Sequence, residues 1–489
     1  MTVDTTGAPG DFTKGWRAID WQNARREVRR LQMRIAKAMQ EGKQGTVKAL
    51  QWILTHSFYA KALAVKRVTT NKGKKTPGID GVLWTTAKAK MQAVNGLRQH
   101  GYTAQPLRRI YIRKKSGKLR PRSIPTRFDR AMQALYKLAL APIAETTADR
   151  NSYGFREGRR CADAVAAAFN ALSKPNSATW VWEADISGCF DNISHSWVLE
   201  HILMERRILE QWLKAGYIEE NTMYPTRKGT PQGGIISPMI ANMVLDGLEE
   251  VIRRAIPRRS RVNFVRYADD FIVTAKSRWL LEESIIPAVK QFLAERGLTL
   301  SEEKCRMAFI RDGFTFLGQT FRKHGNTLYI TPSKEGVLAL IRKVGALIRT
   351  YTSAPVQALI KKLNHTLRGW ANYHRHVVSS DAFGRVDTYV YEQLWRMIRR
   401  KHPEKSKGWL IRRYWTASGR KWRFSVLRKT KKGLHKVYQV LRVSSIGIKR
   451  HIKIKADANP YLAEYARYYA TRRRNKGVCL MRELSARAT

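Results

Sequence analysis

Acidic residues are scarce in this chain, and their scarcity constrains what the protein binds. Asp and Glu together number 38 against 92 Lys and Arg, which gives a formal net charge of +54. A free protein of that charge repels itself, so a merely solvated charged surface is the weaker interpretation. Phosphate-rich polymers release counterions when such a surface binds them. The composition therefore favours nucleic acid as the partner.

Long apolar runs and paired cysteines are also missing. No stretch of about 18 consecutive apolar residues is present and the N-terminus lacks the apolar core of a signal peptide, so we expect no membrane partner. The four cysteines form no C-x-x-C pair, which argues against a zinc site and a disulfide framework. They are Cys161, Cys189, Cys305 and Cys479. We therefore expect a cytoplasmic protein with reduced cysteines.

Helical periodicity and basic residues dominate the N-terminal part of the chain. Asp20 is placed to cap a long helix whose apolar residues recur at helical spacing. The other face of this helix carries Arg25, Arg29 and Arg30, which we interpret as an RNA-binding surface, with a solvated helix face as the alternative. The pattern predicts a second basic helix from Val47 to Val68.

The middle of the chain has a different character. Between about Leu107 and Phe321, short β-like runs alternate with longer helical patterns, which predicts an α/β or α+β core. Beyond Pro332 the strand signals fade and the periodicity becomes helical. We therefore expect a separate, mostly helical domain there, followed by a basic stretch interleaved with aromatic residues.

The stretch FVRYADDFIVTA, Phe264 to Ala275, places two aspartates between two β-like runs. It predicts a strand, a tight turn at Ala268 to Asp270 and a returning strand. An Asp-Asp turn by itself is more often a solvated hairpin than a functional site. A carboxylate elsewhere in the chain raises the odds of function.

That carboxylate is Asp185, at the end of a bulky apolar run that predicts a buried strand. A charge in this position is costly unless something compensates it. If this strand lies side by side with a strand of the Asp269 hairpin, Asp185 and Asp269 are able to hold a pair of divalent cations. Two Mg²⁺ ions about 4 Å apart can activate an attacking hydroxyl and stabilise a leaving oxygen. The pattern therefore favours polymerase chemistry.

Two further segments fit a nucleotide-binding site. Pro231 to Gly234, sequence PQGG, predicts a turn that exposes its backbone. Upstream, a basic turn at Lys115 to Lys118 joins two predicted strands, and basic side chains at a hairpin tip suit a triphosphate. Each segment alone is weak evidence for a polymerase site. The order of the basic hairpin, the Asp185 strand, the PQGG turn and the Asp269 hairpin along the chain is much stronger evidence.

Taken together, these segments closely resemble a reverse transcriptase. The resemblance rests on YADD (Tyr267 to Asp270), NSYGFREGR (Asn151 to Arg159), DISGCFDNISH (Asp185 to His195), TPQGGIISPMIANM (Thr230 to Met243), LTLSEEKCR (Leu298 to Arg306) and FTFLGQTF (Phe314 to Phe321). The N-terminal helices and three later motifs are similar to proteins encoded by bacterial group II introns. These motifs are LRGWANYHR (Leu367 to Arg375), LWRMIRRKHP (Leu394 to Pro403) and KIKADANP (Lys453 to Pro460).

The resemblance implies an α+β, right-hand polymerase fold. Fingers and a palm with an antiparallel sheet would be followed by an α-helical thumb/maturase domain and a small basic C-terminal DNA-binding segment. The implied boundaries are 1–75 for a basic RNA-binding extension, 76–330 for fingers and palm, 331–430 for thumb and maturase, and 431–489 for the DNA-binding segment.

The resemblance also assigns site residues. Asp185, Asp269 and Asp270 would form the catalytic triad and, with the Ile186 carbonyl, would bind two Mg²⁺ ions. Asp185 and Asp269 are the expected direct ligands, whereas Asp270 would position the primer end. The residues implied to contact the dNTP are Lys118, Arg120, Phe190, Gln232 and Lys304.

Each dNTP contact has an implied role. Lys118 and Arg120 would hold the triphosphate, and Gln232 would border the nucleotide. Phe190 would exclude ribonucleotides by meeting the sugar 2′ position, and Lys304 would protonate the leaving pyrophosphate. The chain departs from the family pattern by placing extra positive charge beside the triphosphate, so Arg113 or Arg122 is an alternative to Lys118 and Arg120.

The helical domain would supply a second activity. Its arginines lie between aromatics, and planar charged side chains suit folded RNA, although any single Trp is more often a core residue. The arginines implied to bind RNA here are Arg368, Arg375, Arg399, Arg400, Arg412 and Arg413.

The implied function is an Mg²⁺-dependent RNA-directed DNA polymerase and intron maturase that acts as a monomer or dimer. It would bind group II intron RNA, promote splicing, and copy the RNA from a DNA primer at target DNA during retrohoming. It would reside in the bacterial cytoplasm and at the nucleoid.

Because no histidine and cysteine cluster follows KIKADANP, we expect no HNH endonuclease activity. Two alternatives stay open: a related reverse transcriptase used in host defence or DNA repair, and an RNA-binding maturase only.

Overall fold

The computed structural model shows a mixed α/β fold in which helices surround small, mainly antiparallel sheets. No helix in the described part of the chain is long and apolar enough to cross a membrane. The predicted basic turn at Lys115 to Lys118 lies outside the described residues, except for Gly117. The structure describes residues 12–113, 117, 119–258, 260–418, 421–429 and 435–474.

The N-terminal region is a layer of helices packed on a long sixth helix. The six are α1 Phe12–Ala18, α2 Trp21–Gln40, α3 Gln44–His56, α4 Phe58–Thr70, α5 Ala87–Gly96 and α6 Arg127–Thr147. The Asp20 carboxylate accepts hydrogen bonds from the N–H groups of Gln22 and Asn23 at 2.8 and 3.1 Å, so the predicted helix cap is confirmed.

The prediction of one continuous helix from Val47 to Val68 is wrong. The backbone is extended at Ser57, with ψ of 129°, and this residue ends α3 and begins α4. Serine is a weak helix former that favours helix ends, so the break falls at a permissive residue. Both α3 and α4 pack against α6. One straight helix over the same residues would not contact α6 along its whole length.

The first two sheets contain eight strands. They are β1 Leu107–Arg113, β2 Leu119–Ile124, β3 Trp180–Ala184, β4 Tyr217–Glu219, β5 Thr222–Tyr224, β6 Asn263–Tyr267, β7 Asp270–Ala275 and β8 Arg306–Phe309. The first sheet has the order β2-β1-β4-β5, in which only the β1–β4 pair is parallel. The second, called the central sheet below, has the order β6-β7-β3-β8, and each pair is antiparallel.

Helices cover the central sheet and join it to the N-terminal layer. They are α7 Cys161–Leu172, α8 Cys189–Asn192, α9 His195–His201, α10 Arg206–Lys214, α11 Ser237–Leu245, α12 Leu248–Arg254, α13 Arg278–Leu280 and α14 Ile286–Ala294. One cluster of buried apolar residues runs from Ile19 to Leu298 and includes Trp182 of β3 and Val273 of β7. The N-terminal helices and one face of the central sheet therefore share a core.

A third sheet leads into the helical region. Its strands are β9 Phe314–Phe316, β10 Gln319–His324 and β11 Thr327–Pro332, and the helices are α15 Lys334–Thr350, α16 Val356–His374, α17 Ser380–Lys401 and α18 Lys407–Tyr414. The predicted change to helix after Pro332 is confirmed.

Strands return after α18, which the sequence analysis did not predict. β12 Trp415–Ser418, β13 Lys421–Lys429 and β14 His435–Gln439 form an antiparallel sheet. Trp415, Phe424 and Val440 pack in the same apolar cluster as α15 to α18. The apolar residues of FSV and WRF in β13 alternate with polar ones, and this alternation was the missed strand signal.

The C-terminal segment, defined here as residues 443–474, folds back onto the central sheet. Ile454 and Ala458 are fully buried in a cluster with Tyr153 and Val265. The buried Asp163 carboxylate of α7 accepts hydrogen bonds from the Ile454 N–H at 2.7 Å and from Arg472 at 2.9 Å. Part of the expected DNA-binding segment is thus built into the protein core.

Candidate active site

The three predicted aspartates meet at one edge of the central sheet. Asp185 directly follows β3, and Asp270 is the first residue of β7. Because β3 and β7 are antiparallel neighbours with Ala184 opposite Phe271, the end of one strand lies beside the beginning of the other. Asp269 precedes β7 in the turn. The predicted side-by-side arrangement of these strands is confirmed.

The turn that carries Asp269 is tighter than predicted. Tyr267 pairs with Asp270 in the ladder, so the turn contains only Ala268 and Asp269, and the assignment of Asp270 to it is wrong. Ala268 has a left-handed φ of 61°, which a residue with a Cβ adopts only when its surroundings hold it there. A Cβ at Gly154 would lie 2.4 Å from the Ala268 nitrogen, so only glycine fits against this turn.

A buried arginine supports the same turn from behind. Arg266 is fully buried, forms an ion pair with Asp246 and lies 3.7 Å from Asp149. Its guanidinium also donates to the Ala268 carbonyl at 3.5 Å. Burial raises the pKa of Asp246 to about 7 despite the opposing charge of Arg266. This network was not predicted, although the arginine inside the apolar run FVRY was a signal for it, since a buried arginine needs partners.

Burial and mutual repulsion shape the electrostatics of the aspartates. Although Asp270 is exposed at the start of β7, partial desolvation by the surrounding protein, reinforced by the charges of Asp269 and Asp185, raises its pKa to about 7. Burial also raises the pKa of Asp269. Lys304 donates to the Asp185 carboxylate at 2.5 Å, and this hydrogen bond raises the pKa of the lysine. One lysine faces three carboxylates, so a divalent cation would stabilise their ionised forms further.

The donor set fits Mg²⁺ rather than a softer metal. The donors that the resemblance implies are carboxylate oxygens and the Ile186 carbonyl, and Mg²⁺ prefers hard oxygen ligands. Among the described residues, no three or more His, Cys, Asp or Glu side chains form a group that could hold a metal ion, so the carboxylates are not preassembled as a metal site. Mg²⁺ is commonly bound through one or two carboxylates, with water and substrate phosphates completing the shell. The residues therefore fit an ion that binds together with the nucleotide.

A chain of hydrogen bonds connects the first sheet to α8. Arg120 of β2 donates through Nε to the side-chain oxygen of Gln232 at 2.7 Å. The Gln232 amide donates in turn to the two carboxylate oxygens of Asp191, at 3.2 and 3.1 Å. Two predicted residues, Arg120 and Gln232, are therefore brought together. Asp191 was not predicted, although it lies in the DISGCFDN motif.

The PQGG turn holds its place through its backbone. The Gln232 carbonyl accepts a hydrogen bond from the Ser123 N–H at 3.2 Å. Gly233 has φ of 148°, and a Cβ there would lie 2.4 Å from the Ser123 carbonyl oxygen. The Thr230 N–H donates to the Phe190 carbonyl at 2.7 Å, which fixes α8 and its half-buried Phe190 beside the turn. Close backbone approach explains the glycine at position 233.

The predicted RNA-binding arginines fall into two groups. Arg29 and Arg375 make contacts inside the protein: Arg29 donates to the Pro460 carbonyl and stacks on Tyr461, with its carbon Cζ 4.4 Å from the ring centre, and Arg375 donates to the Gly447 carbonyl. The other seven side chains are exposed. They are Arg25, Arg30, Arg368, Arg399, Arg400, Arg412 and Arg413.

Carboxylates at the edge of an antiparallel sheet, in a chain this basic, define a candidate nucleotide polymerase. The family described as "Reverse transcriptase (RNA-dependent DNA polymerase)" matches residues 112–321. Residues 16–97 match the N-terminal domain of reverse transcriptase, and residues 337–415 match the group II intron maturase-specific domain.

Curated relatives agree with these matches. Protein YkfC of Escherichia coli is 30% identical over 301 residues, which cover 53% of this chain and 78% of YkfC. The group II intron-encoded protein LtrA of Lactococcus lactis is 29% identical over 336 residues, covering 53% of this chain and 54% of LtrA. The chain thus spans about half the length of LtrA. Telomerase from Candida albicans is a distant structural likeness, with a TM-score of 0.37 and 10% identity over 60% of this chain and 59% of that chain.

The chain belongs to the reverse transcriptase family, whose members are RNA-directed DNA polymerases, and it carries a group II intron maturase-specific domain.

Proposed function

We propose that this protein is an Mg²⁺-dependent RNA-directed DNA polymerase and a maturase for a group II intron. It binds the intron RNA, promotes its splicing and copies it into DNA by target-primed reverse transcription during retrohoming. The observation that carries the polymerase assignment is the meeting of Asp185, Asp269 and Asp270 at one edge of the central sheet. The maturase-specific match and the similarity to LtrA support the intron assignment.

In the proposed reaction, the 3′ oxygen of a DNA primer attacks the α-phosphorus of a dNTP, and the bond from that phosphorus to the pyrophosphate breaks. Two Mg²⁺ ions, when bound, lower the barrier by activating the hydroxyl and stabilising the leaving oxygen. Asp185 and Asp269 would hold them with the Ile186 carbonyl, and Asp270 would position the primer end. Lys304, beside Asp185, would donate a proton to the leaving pyrophosphate.

Selection of the incoming nucleotide falls to the first sheet and α8. Arg120, oriented by Gln232, would bind the triphosphate, and Lys118 would contribute from the same hairpin. Phe190 would close the space beside the sugar 2′ carbon and so exclude ribonucleotides. Arg113 on β1 and Arg122 on β2 are exposed, and they are further candidates for binding the triphosphate.

In the proposed right-hand layout, the first sheet and its helices are the fingers and the central sheet is the palm. Residues 1–75 are the N-terminal extension, 76–330 the fingers and palm, 331–430 the thumb and maturase domain, and 431–489 the DNA-binding segment. The shared core of the N-terminal helices and the central sheet supports a rigid platform for the aspartates.

The intron RNA would bind the exposed arginines of α2 and of helices α16 to α18. Arginine is suited to this role because its planar charged group contacts phosphates and stacks on bases. The aromatics between these arginines mostly serve the fold, since Tyr414 and Trp415 are buried in the helical core. Target DNA and its primer are the further proposed partners.

The Asp269→Asn variant tests the division of roles. It keeps the size and hydrogen-bonding capacity of the side chain but removes the charge that would bind a cation. We expect primer extension on an RNA template to fall below one thousandth of the wild-type rate while intron splicing stays within about threefold. A variant that still makes cDNA at a comparable rate would remove Asp269 from the metal site. Loss of splicing as well would contradict the separation of the two activities.

A further inference from the structure

Phe155 stands out because it combines a strained backbone with an exposed aromatic ring. Its φ is 56°, in the left-handed region that bulky side chains rarely adopt. Its side chain is large and apolar, yet the residue is 56% exposed. Backbone strain persists only where neighbouring contacts enforce it, and it concentrates at functional sites. Neither the backbone conformation nor burial explains a phenylalanine at this position.

The residues on both sides of Phe155 enforce its conformation. On the N-terminal side, the Tyr153 N–H donates to the Arg266 carbonyl at 2.9 Å, and Asn242 donates to the Gly154 carbonyl at 2.6 Å. On the C-terminal side, Arg156 donates to the Asp149 and Ser152 carbonyls at 2.6 and 2.9 Å. The Phe155 backbone is therefore fixed between two anchored neighbours.

Arg156 has a second anchor in a buried ion pair. Its guanidinium donates to both carboxylate oxygens of Glu145, at 3.1 and 2.7 Å, and the two side chains are 7% and 5% exposed. Such a two-pronged pair fixes orientation as well as position. The protein thus commits several buried polar groups to a loop whose central side chain points into solvent.

The position of this loop relates Phe155 to the reaction. Gly154 lies against the Ala268–Asp269 turn so closely that a Cβ there would be 2.4 Å from the Ala268 nitrogen and 3.0 Å from the Tyr267 carbonyl carbon. Phe155 is the next residue along the chain. Under the proposed function, the 3′ end of the primer must reach this turn to meet Asp269.

We propose that the ring of Phe155 is a stacking platform for the nucleotide at the 3′ end of the DNA primer. This inference rests on the proposed polymerase function and adds a binding residue to it. An aromatic ring has few rotatable bonds and so loses little side-chain entropy when a base packs on it, and stacking tolerates any base. The platform would hold the primer end against the turn without choosing its sequence.

Binding of a fluorescent primer–template in EDTA tests the platform without catalysis. We expect Phe155→Ala to bind about tenfold more weakly than the wild type and Phe155→Tyr to bind within twofold of it. When the 3′ nucleotide of the primer is abasic, the wild type and Phe155→Ala should bind equally. Equal binding of all intact duplexes by these two proteins would overturn the proposal. If an abasic template nucleotide removes the difference instead, the ring stacks on the template and the primer assignment is wrong.

The Phe155→Gly variant separates binding from folding. Glycine accepts φ of 56° without strain, so we expect its melting temperature to equal or exceed that of the wild type while primer–template binding weakens as in Phe155→Ala. A large drop in melting temperature would show that the ring serves the fold and would overturn the proposal. A wild-type protein that binds duplexes but fails to extend primers would refute the polymerase function, while the binding comparison would still decide the role of Phe155.

Discussion

Arg120 donates a hydrogen bond to the side-chain oxygen of Gln232 at 2.7 Å, although the two residues lie 112 positions apart in the chain. Gln232 also donates to Asp191 on α8. The residue proposed to hold the triphosphate is therefore oriented by the helix that carries Phe190. Under the proposed function, Gln232 would thus link the contact with the triphosphate to the contact with the sugar.

Removing that glutamine should weaken nucleotide binding more than catalysis. We expect Gln232→Ala to raise the KM for dNTP about tenfold, since Arg120 loses the acceptor that orients it, while kcat falls less than threefold. Asp191→Asn is the matched control, because an asparagine oxygen still accepts the Gln232 amide and its KM should stay within threefold of the wild type. Steady-state primer extension with varied dNTP measures both. An unchanged KM in Gln232→Ala would exclude Arg120 and Gln232 from a joint role.

Phe190 should control the choice between ribose and deoxyribose. In Phe190→Ala we expect the ratio of kcat/KM for dNTP over rNTP to fall at least tenfold, because the space beside the 2′ carbon opens. Phe190→Tyr keeps the ring and should keep the ratio within threefold. Competition between labelled dNTP and rNTP on one template gives the ratio directly. Unchanged discrimination in the alanine variant would remove Phe190 from this role.

The exposed and internal arginines should differ in their effect on RNA binding. Combined Arg412→Ala and Arg413→Ala substitutions should weaken binding of the intron RNA and reduce the slope of log K against log salt by roughly one per arginine. Arg29→Ala should leave that slope unchanged but lower the melting temperature, because Arg29 contacts Pro460 and Tyr461 within the protein. A reduced salt slope in Arg29→Ala would place Arg29 in the RNA interface instead.

His374 should make the folded protein sensitive to acid. Burial lowers the pKa of His374 to about 4, from an ordinary value of 6.5. Because the unfolded state takes up this proton at a higher pH than the folded state, stability is unaffected above pH 6.5 and falls as the pH drops from 6.5 towards 4. We expect a loss of roughly 3 kcal/mol from this group across that range.

Comparison with His374→Gln isolates the contribution of His374, since glutamine does not titrate and can still bond with Gln319, the partner of His374 at 2.9 Å. The variant should lose less thermal stability than the wild type between pH 7 and pH 4.5. Parallel pH profiles of melting temperature would contradict the assignment. The neighbouring His376, whose charge contributes to the lowered pKa of His374 and whose own pKa burial lowers to about 4, is present in both proteins.

The sequence predicts those features that depend on local pattern. The Asp20 cap and the position of Asp185 at a strand end follow from a few adjacent residues, and both agree with the structure. The break at Ser57 was not predicted because a single serine within a helical pattern does not by itself end a helix. Here the packing of α3 and α4 on α6 favours the break. Local signals are weak where tertiary contacts decide.

Long-range contacts account for the other differences. Arg29, whose RNA-binding role stays a prediction, lies 431 residues from its hydrogen-bond partner Pro460, and its pattern on α2 does not indicate that contact. Asp191 and Arg266 likewise acquire their roles from residues brought near by the fold. Spacing along the chain gives no measure of such distances.

The burial of Ile454 and Ala458 against Tyr153 and Val265 has a consequence for how the protein is made. Residues of α7 and of the third sheet, which supply most of this cluster, leave the ribosome well before Ile454 and Ala458. One part of the cluster is therefore completed late in synthesis, and until then the growing protein exposes apolar surface that favours aggregation.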